Sequence, residues 1–98
     1  MRHDLRATAA DGTPIAWSRS GPAGEGPSSV VLVHGITESA GSFDPVTALL
    51  VKSHDVITMD LRGHGESGTA TRYDLEVMAG DVIAVIEAAG VNAPHLIG

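Results

Sequence analysis

The sequence predicts an α/β fold with a parallel core. Three observations carry this. Val30 to Val33 is an unbroken apolar run, Val-Val-Leu-Val, that ends abruptly in His34-Gly35. Such a run bounded by glycine reads as a strand covered on both faces. A second run of the same kind, Asp55 to Asp60, follows after a segment with helical spacing. A third strand begins at Pro94, after another helical segment. Strands alternating with helices imply right-handed crossovers and a parallel sheet.

The elements follow in order. Residues 1–20 read as an antiparallel hairpin, turning at Asp11-Gly12, with Ile15 and Trp17 on one face of its second strand. Gly21 to Ser28 is rich in Gly, Pro and Ser and reads as a surface loop. Residues 29–42 form the first parallel strand and the loop after it. Residues 43–53 are expected to be a helix, with Ser42 as N-cap, Pro45 in the first turn, and Phe43, Val46, Leu49 and Leu50 at helical spacing. Residues 55–68 are a strand and a loop too rich in glycine to be helical. Residues 74–89 are the second helix. Asp74 caps it, Tyr73 can staple onto Met78, and Leu75, Met78, Ala79, Val82, Ile86 and Ala89 make its apolar stripe. Gly90 stops it, and residues 94–98 start another strand.

Composition limits the function. The 98 residues amount to one small domain or part of one. Six Lys and Arg stand against twelve Asp and Glu, a net charge of −6, with no basic cluster. Nucleic acid and anionic membrane are therefore not expected as partners. No apolar run follows the amino terminus, so no secretory signal is expected. The absence of cysteine excludes a disulfide framework and suits a cytoplasmic location. Ligands of open α/β sheets lie at the carboxyl ends of the strands. That directs attention to His34-Gly35 and to Asp60-Leu61-Arg62-Gly63-His64-Gly65-Glu66-Ser67.

Val-Leu-Val-His-Gly, an aromatic at Phe43, and then Asp-Leu-Arg-Gly-His-Gly-Glu-Ser resemble the α/β-hydrolase family over nearly the whole chain. The resemblance implies the amino-terminal part of a hydrolase sheet, with strand order first-second-fourth-third-fifth and helices on opposite faces. It implies that the main-chain N–H of Ile36 is an oxyanion donor for acyl transfer. The substrate would be an ester, lactone or related acyl compound, hydrolysed by Ser, His and Asp or Glu without a cofactor. Peroxidase-like, dehalogenase and epoxide-hydrolase branches share this amino-terminal pattern. The loop residues His34, Gly35, Asp60, Arg62, Gly63, His64, Gly65 and Ser67 are expected to be scaffold beside the site. His64 reads as structural, and Arg62 as a loop-pinning donor to Asp60 or to Asp81. The family's Gly-x-Ser-x-Gly turn follows the strand that His95 to Gly98 resembles, so the sequence stops before the nucleophile elbow. Ser39 and Ser67 lack the strand-turn-helix setting of a nucleophile.

Three other readings are available. Gly63, Gly65 and Gly68 fit the Gly-x-Gly-x-x-Gly dinucleotide pattern, but Thr69 to Tyr73 separate them from the helix that should face the pyrophosphate. Micromolar NAD binding lost on changing Gly63 or Gly65 to Ala would establish that reading. His34, Asp60, His64 and His95 lack the spacing of a metal site. A non-catalytic interaction module is the third, with self-association through the apolar terminal strand.

Overall fold

A computed structural model describes residues 5–21, 29–35 and 39–98. Its single sheet contains β1 (Leu5–Thr8), β2 (Pro14–Ser20), β3 (Ser29–Val33), β4 (Asp55–Met59) and β5 (His95–Ile97), in the spatial order β1-β2-β4-β3-β5. β3 and β4 are parallel neighbours, with Val31 opposite Ile57, and β5 joins β3 in parallel with Leu96 opposite Val31. The hairpin β1-β2 extends the sheet antiparallel from β4, placing Trp17 opposite Met59. This is the amino-terminal portion of an α/β-hydrolase sheet, in the strand order that the resemblance implies.

Alternation along the strands sends side chains to two faces. Ile15, Trp17, Val31, Ile57 and Met59 fill the larger core under α2 (Leu75–Ala89), while Val30, Leu32 and Val56 meet Phe43 and Leu50 near α1 (Asp44–Leu50) on the other. The two helices thus cover opposite faces.

Several expectations need correction. The first helical segment opens as a 3-10 turn over Ala40–Phe43, and the α-helix proper ends at Leu50 rather than Ser53. Ser42 does not cap it: Phe43 occupies the N-cap, and the Ser42 hydroxyl donates to the Ser39 carbonyl instead. The expected stripe on α2 holds in part: Met78, Val82, Ile86 and Ala89 meet the larger core, while Leu75 and Ala79 do not. Leu75 is 84% exposed, and the fully buried positions are Met78, Asp81 and Val85. The periodicity rule counts only apolar residues, so it passed over the carboxylate at the centre of the buried face. The Tyr73 ring lies over Gly63, where an added Cβ would stand 2.6 Å from its Cε1. The last strand shortens to three residues.

Asp74 caps α2 as expected, accepting from the Val77 amide at 3.1 Å. That bond first, and then the Arg72 guanidinium, holds the Asp74 carboxyl below its ordinary value. Gly90 closes the helix at φ +70° with open space around it. Gly90→Ala is expected to lower stability by roughly 1–2 kcal/mol through backbone conformation alone. A urea midpoint unchanged by this substitution would contradict that account of the helix end.

Candidate functional site

The carboxyl ends of β3 and β4 are bound together by side chains from the loops that leave them. Asp60, directly after β4, is 1% exposed. One carboxylate oxygen accepts from the Ala40 amide at 2.8 Å, and the other from the Glu66 amide at 3.0 Å. Its own amide donates to the Ala16 carbonyl at 3.0 Å. One residue therefore holds the 3-10 turn, the glycine loop and β2. Gly65 lies against this carboxylate with φ +49°, and a side chain there would collide with it. Ser67 donates its hydroxyl to the Asp60 carbonyl and accepts from the Ala16 amide at 2.8 Å. A hydroxyl engaged on both sides is a clamp between loop and strand. The Gly63 amide closes the loop onto the Gly68 carbonyl at 2.8 Å.

His34 is buried at 3% exposure. Its Nε2 accepts from the Leu61 amide at 2.9 Å, and its Nδ1 lies 2.6 Å from the Gly35 carbonyl oxygen. An amide N–H can only donate, so Nε2 is the acceptor and Nδ1 carries the proton. This is the neutral imidazole. The His64 ring sits with its centroid 5.2 Å away, and its Nδ1 lies 2.9 Å from the Arg62 carbonyl oxygen. Ile36, the expected oxyanion donor, lies outside the described residues.

Arg62 is 1% exposed. It meets Asp81 through Nε and Nη2, both at 2.8 Å, and Asp11 through Nη1 at 2.8 Å. Nη1 also donates to the Arg72 carbonyl at 3.0 Å, and Nη2 has a longer contact of 3.4 Å to Asp11. Of the two partners expected, the structure selects Asp81, while the Asp60 carboxylate holds backbone amides. Asp11 was missed, because an Asp-Gly pair explains a turn without needing its carboxylate elsewhere. Asp81 first, and then Asp11, raises the Arg62 guanidinium further above its already high value. Arg62 and the Thr13 bonds in turn hold the Asp11 carboxyl well below the usual 3.8. A depressed carboxyl stabilises the fold above the unfolded value, and that stability is lost as pH falls through the folded one. Acid unfolding below about pH 4 is therefore expected to flatten in Asp11→Asn, read by circular dichroism against pH. A variant with the wild-type acid slope would contradict this.

The glycine loop does not offer a phosphate cradle. The Gly63 and Gly68 amides donate to the Gly68 and Pro14 carbonyls, and a Cβ at Gly63, Gly65 or Gly68 would meet the Tyr73 ring, the Asp60 carboxylate or Pro14. His34 and His64 come together, but the ring nitrogens described above face main-chain groups. Among the described residues no three His, Asp or Glu groups converge as a metal site. An apolar concavity of about 350 Å³, lined by Val33, Leu61, Leu75, Met78, Ala79 and Val82, opens between the end of β3 and α2.

A mixed sheet of this order, with a His-Gly strand end locked to an Asp-x-Arg-Gly-His-Gly loop, defines a hydrolase-type α/β protein. The sequence profile of the alpha/beta hydrolase fold family matches residues 28–98. The chain belongs to the α/β-hydrolase family. It is 26% identical over 96 residues to 3-oxoadipate enol-lactonase 1 of Acinetobacter baylyi, covering 98% of this chain and 35% of that protein. It is 31% identical over 71 residues to the esterase YbfF of Escherichia coli, covering 72% and 28%. The crystal structure of the esterase RhEst1 from a Rhodococcus species superposes with a TM-score of 0.87 at 36% identity, over 96% of this chain and 35% of that one. The chain spans about a third of the length of these relatives.

Proposed function

We propose that these residues form the oxyanion side of an active site that hydrolyses an ester, lactone or related small acyl substrate. The observation that carries this reading is the similarity to an enol-lactonase and to an esterase over 98% and 96% of this chain, beside the His34-Gly35 strand end and the loop that holds it. The main-chain N–H of Ile36 would be one donor to the developing oxyanion, and the residue after the nucleophile the other. Serine attack, a histidine base and an acidic orienting group would come from the part of the hydrolase fold that follows β5 in the family. A cytoplasmic location goes with this reading. Among the described residues no helix is long and apolar enough to cross a membrane. Leu96 and Ile97, on the edge strand β5, are 59% and 42% exposed. Self-association along that strand is the corresponding proposal for a partner.

The test replaces the matching third of the Rhodococcus esterase with residues 1–98. The expected result is a folded chimera that hydrolyses a short-chain nitrophenyl ester, while the 98 residues alone stay at background. A folded but inactive chimera would contradict the reading. Burst kinetics from the 98 residues alone, abolished by Ser39→Ala or Ser67→Ala, would place the nucleophile within them.

A further inference from the structure

We infer that residues 86–97 open from the sheet as one unit, with Arg19 as the latch that holds them closed. The segment has few anchors of its own. The buried positions of α2 end at Val85, and from Ile86 to Ile97 only Val91 is buried. β5 contributes three exposed residues, paired to β3 alone. Few buried side chains and a short edge pairing mark the part of a fold that opens first. Arg19 supplies the remaining hold. From β2 it grips Asp55 through Nε at 2.8 Å and Nη2 at 2.7 Å, and the Ser29 hydroxyl donates to the same carboxylate at 3.0 Å. Its Nη1 reaches across to the Ala89 carbonyl at 2.8 Å. That carbonyl is among the last four of the helix, which find no partner within it. The last turn of α2 has no basic side chain, so β2 provides the cation that a helix carboxyl end favours. The two arginine anchors of α2 differ in access. The Arg62 side chain is 1% exposed and Asp81 is sealed with it, whereas the Arg19 side chain is 30% exposed. Water can therefore replace the Ala89 bond while Asp55 keeps the guanidinium and Asp81 keeps the middle of α2 docked. The turn behind the helix favours opening. Ala93 stands at φ +46° directly before Pro94, a backbone conformation that a Cβ disfavours, and opening lets it relax.

Amide hydrogen exchange of the 98-residue chain in low urea tests this. The protected amides from Ile86 to Gly90 and those of β5 are expected to share one opening, easier than that of Met78 to Val82 or of the β3–β4 pairing. Arg19→Gln should quicken this group about 10–100-fold and leave Met78 to Val82 little changed. Should a buried Asp55 without its cation keep that variant from folding, Arg19→Gln with Asp55→Asn removes the charge, and the same pattern is expected. Ala93→Asn should act in the opposite direction and slow the group by about 3–10-fold, because Asn tolerates the left-handed conformation. The inference is overturned if the Gly90 and β5 amides of the unsubstituted chain open separately, a result that needs no variant to fold. It is equally overturned if the Arg19 variants quicken every element alike, or leave residues 86–97 unchanged.

Discussion

Replacing Arg62 with Ala is expected to destabilise the chain by about 3–5 kcal/mol. Total stability is typically about 5–15 kcal/mol and lies toward the low end for so small a core. The reason is what the substitution leaves behind. Asp81 is wholly buried on the face of α2 that packs on the sheet, between Met78 and Val85. Its two oxygens accept from Nε and Nη2 of Arg62. Without the guanidinium, a carboxylate stays in an apolar layer with no cation to offset its desolvation. Asp11 suffers less, because its carboxylate is 42% exposed and water can replace the ion pair. The expected order of damage is therefore Arg62→Ala above Asp81→Ala, with Asp11→Ala mildest. Changing both members of the buried pair, Arg62→Met with Asp81→Leu, should recover much of the loss, since well-packed hydrophobes often equal or exceed a buried ion pair. Urea midpoints for the four variants make the check. A double variant no better than Arg62→Ala would mean that the loop depends on the remaining Arg62 bonds, to Asp11 and to the Arg72 carbonyl.

The spatial order of the strands came only from the family resemblance, but the parallel strands themselves were legible because each is an apolar run stopped by a polar or glycine-containing loop. Burial on both faces leaves that pattern whatever the neighbours are. The cap at Asp74 was legible because capping is local. The less legible features depend on partners far apart in sequence. Asp81 sits 19 residues from Arg62, and Asp11 sits 51 residues away. Nothing local distinguishes a buried carboxylate from one on a solvated helix face. The start of α1 was misread for a related reason. The Ala40 amide is satisfied by Asp60 from another loop, so the segment enters its helix through a 3-10 turn and Ser42 is not needed as a cap. The scaffold residues of the site were named by resemblance, whereas their roles emerge only when both loops are folded together.

Asp60 gives the second large effect. Its two carboxylate oxygens accept from the Ala40 and Glu66 amides, at 2.8 and 3.0 Å. Asp60→Ala leaves both donors without this acceptor, and at about 1–3 kcal/mol for each buried unsatisfied group the expected loss is roughly 2–5 kcal/mol. Asp60→Asn is nearly isosteric, yet it should lose about half as much. An amide offers one oxygen and one NH2, so in either orientation a donor faces a backbone donor. The consequence extends to the site. His34 joins the end of β3 to Leu61, and Asp60 joins the start of the 3-10 turn at Ala40 to the same loop. The two side chains thus secure both ends of the segment that contains Ile36. Gly65 supports the arrangement by letting the loop close against the carboxylate. Gly65→Ala should therefore resemble Asp60→Asn in effect, and combining the two should cost less than the sum, because both act on the same contacts. Amide exchange at Ala40 and Glu66 reads the result directly. Both amides should quicken in Asp60→Ala and one of the two in Asp60→Asn. Protection unchanged in both variants would show that the two loops are held by something other than this carboxylate.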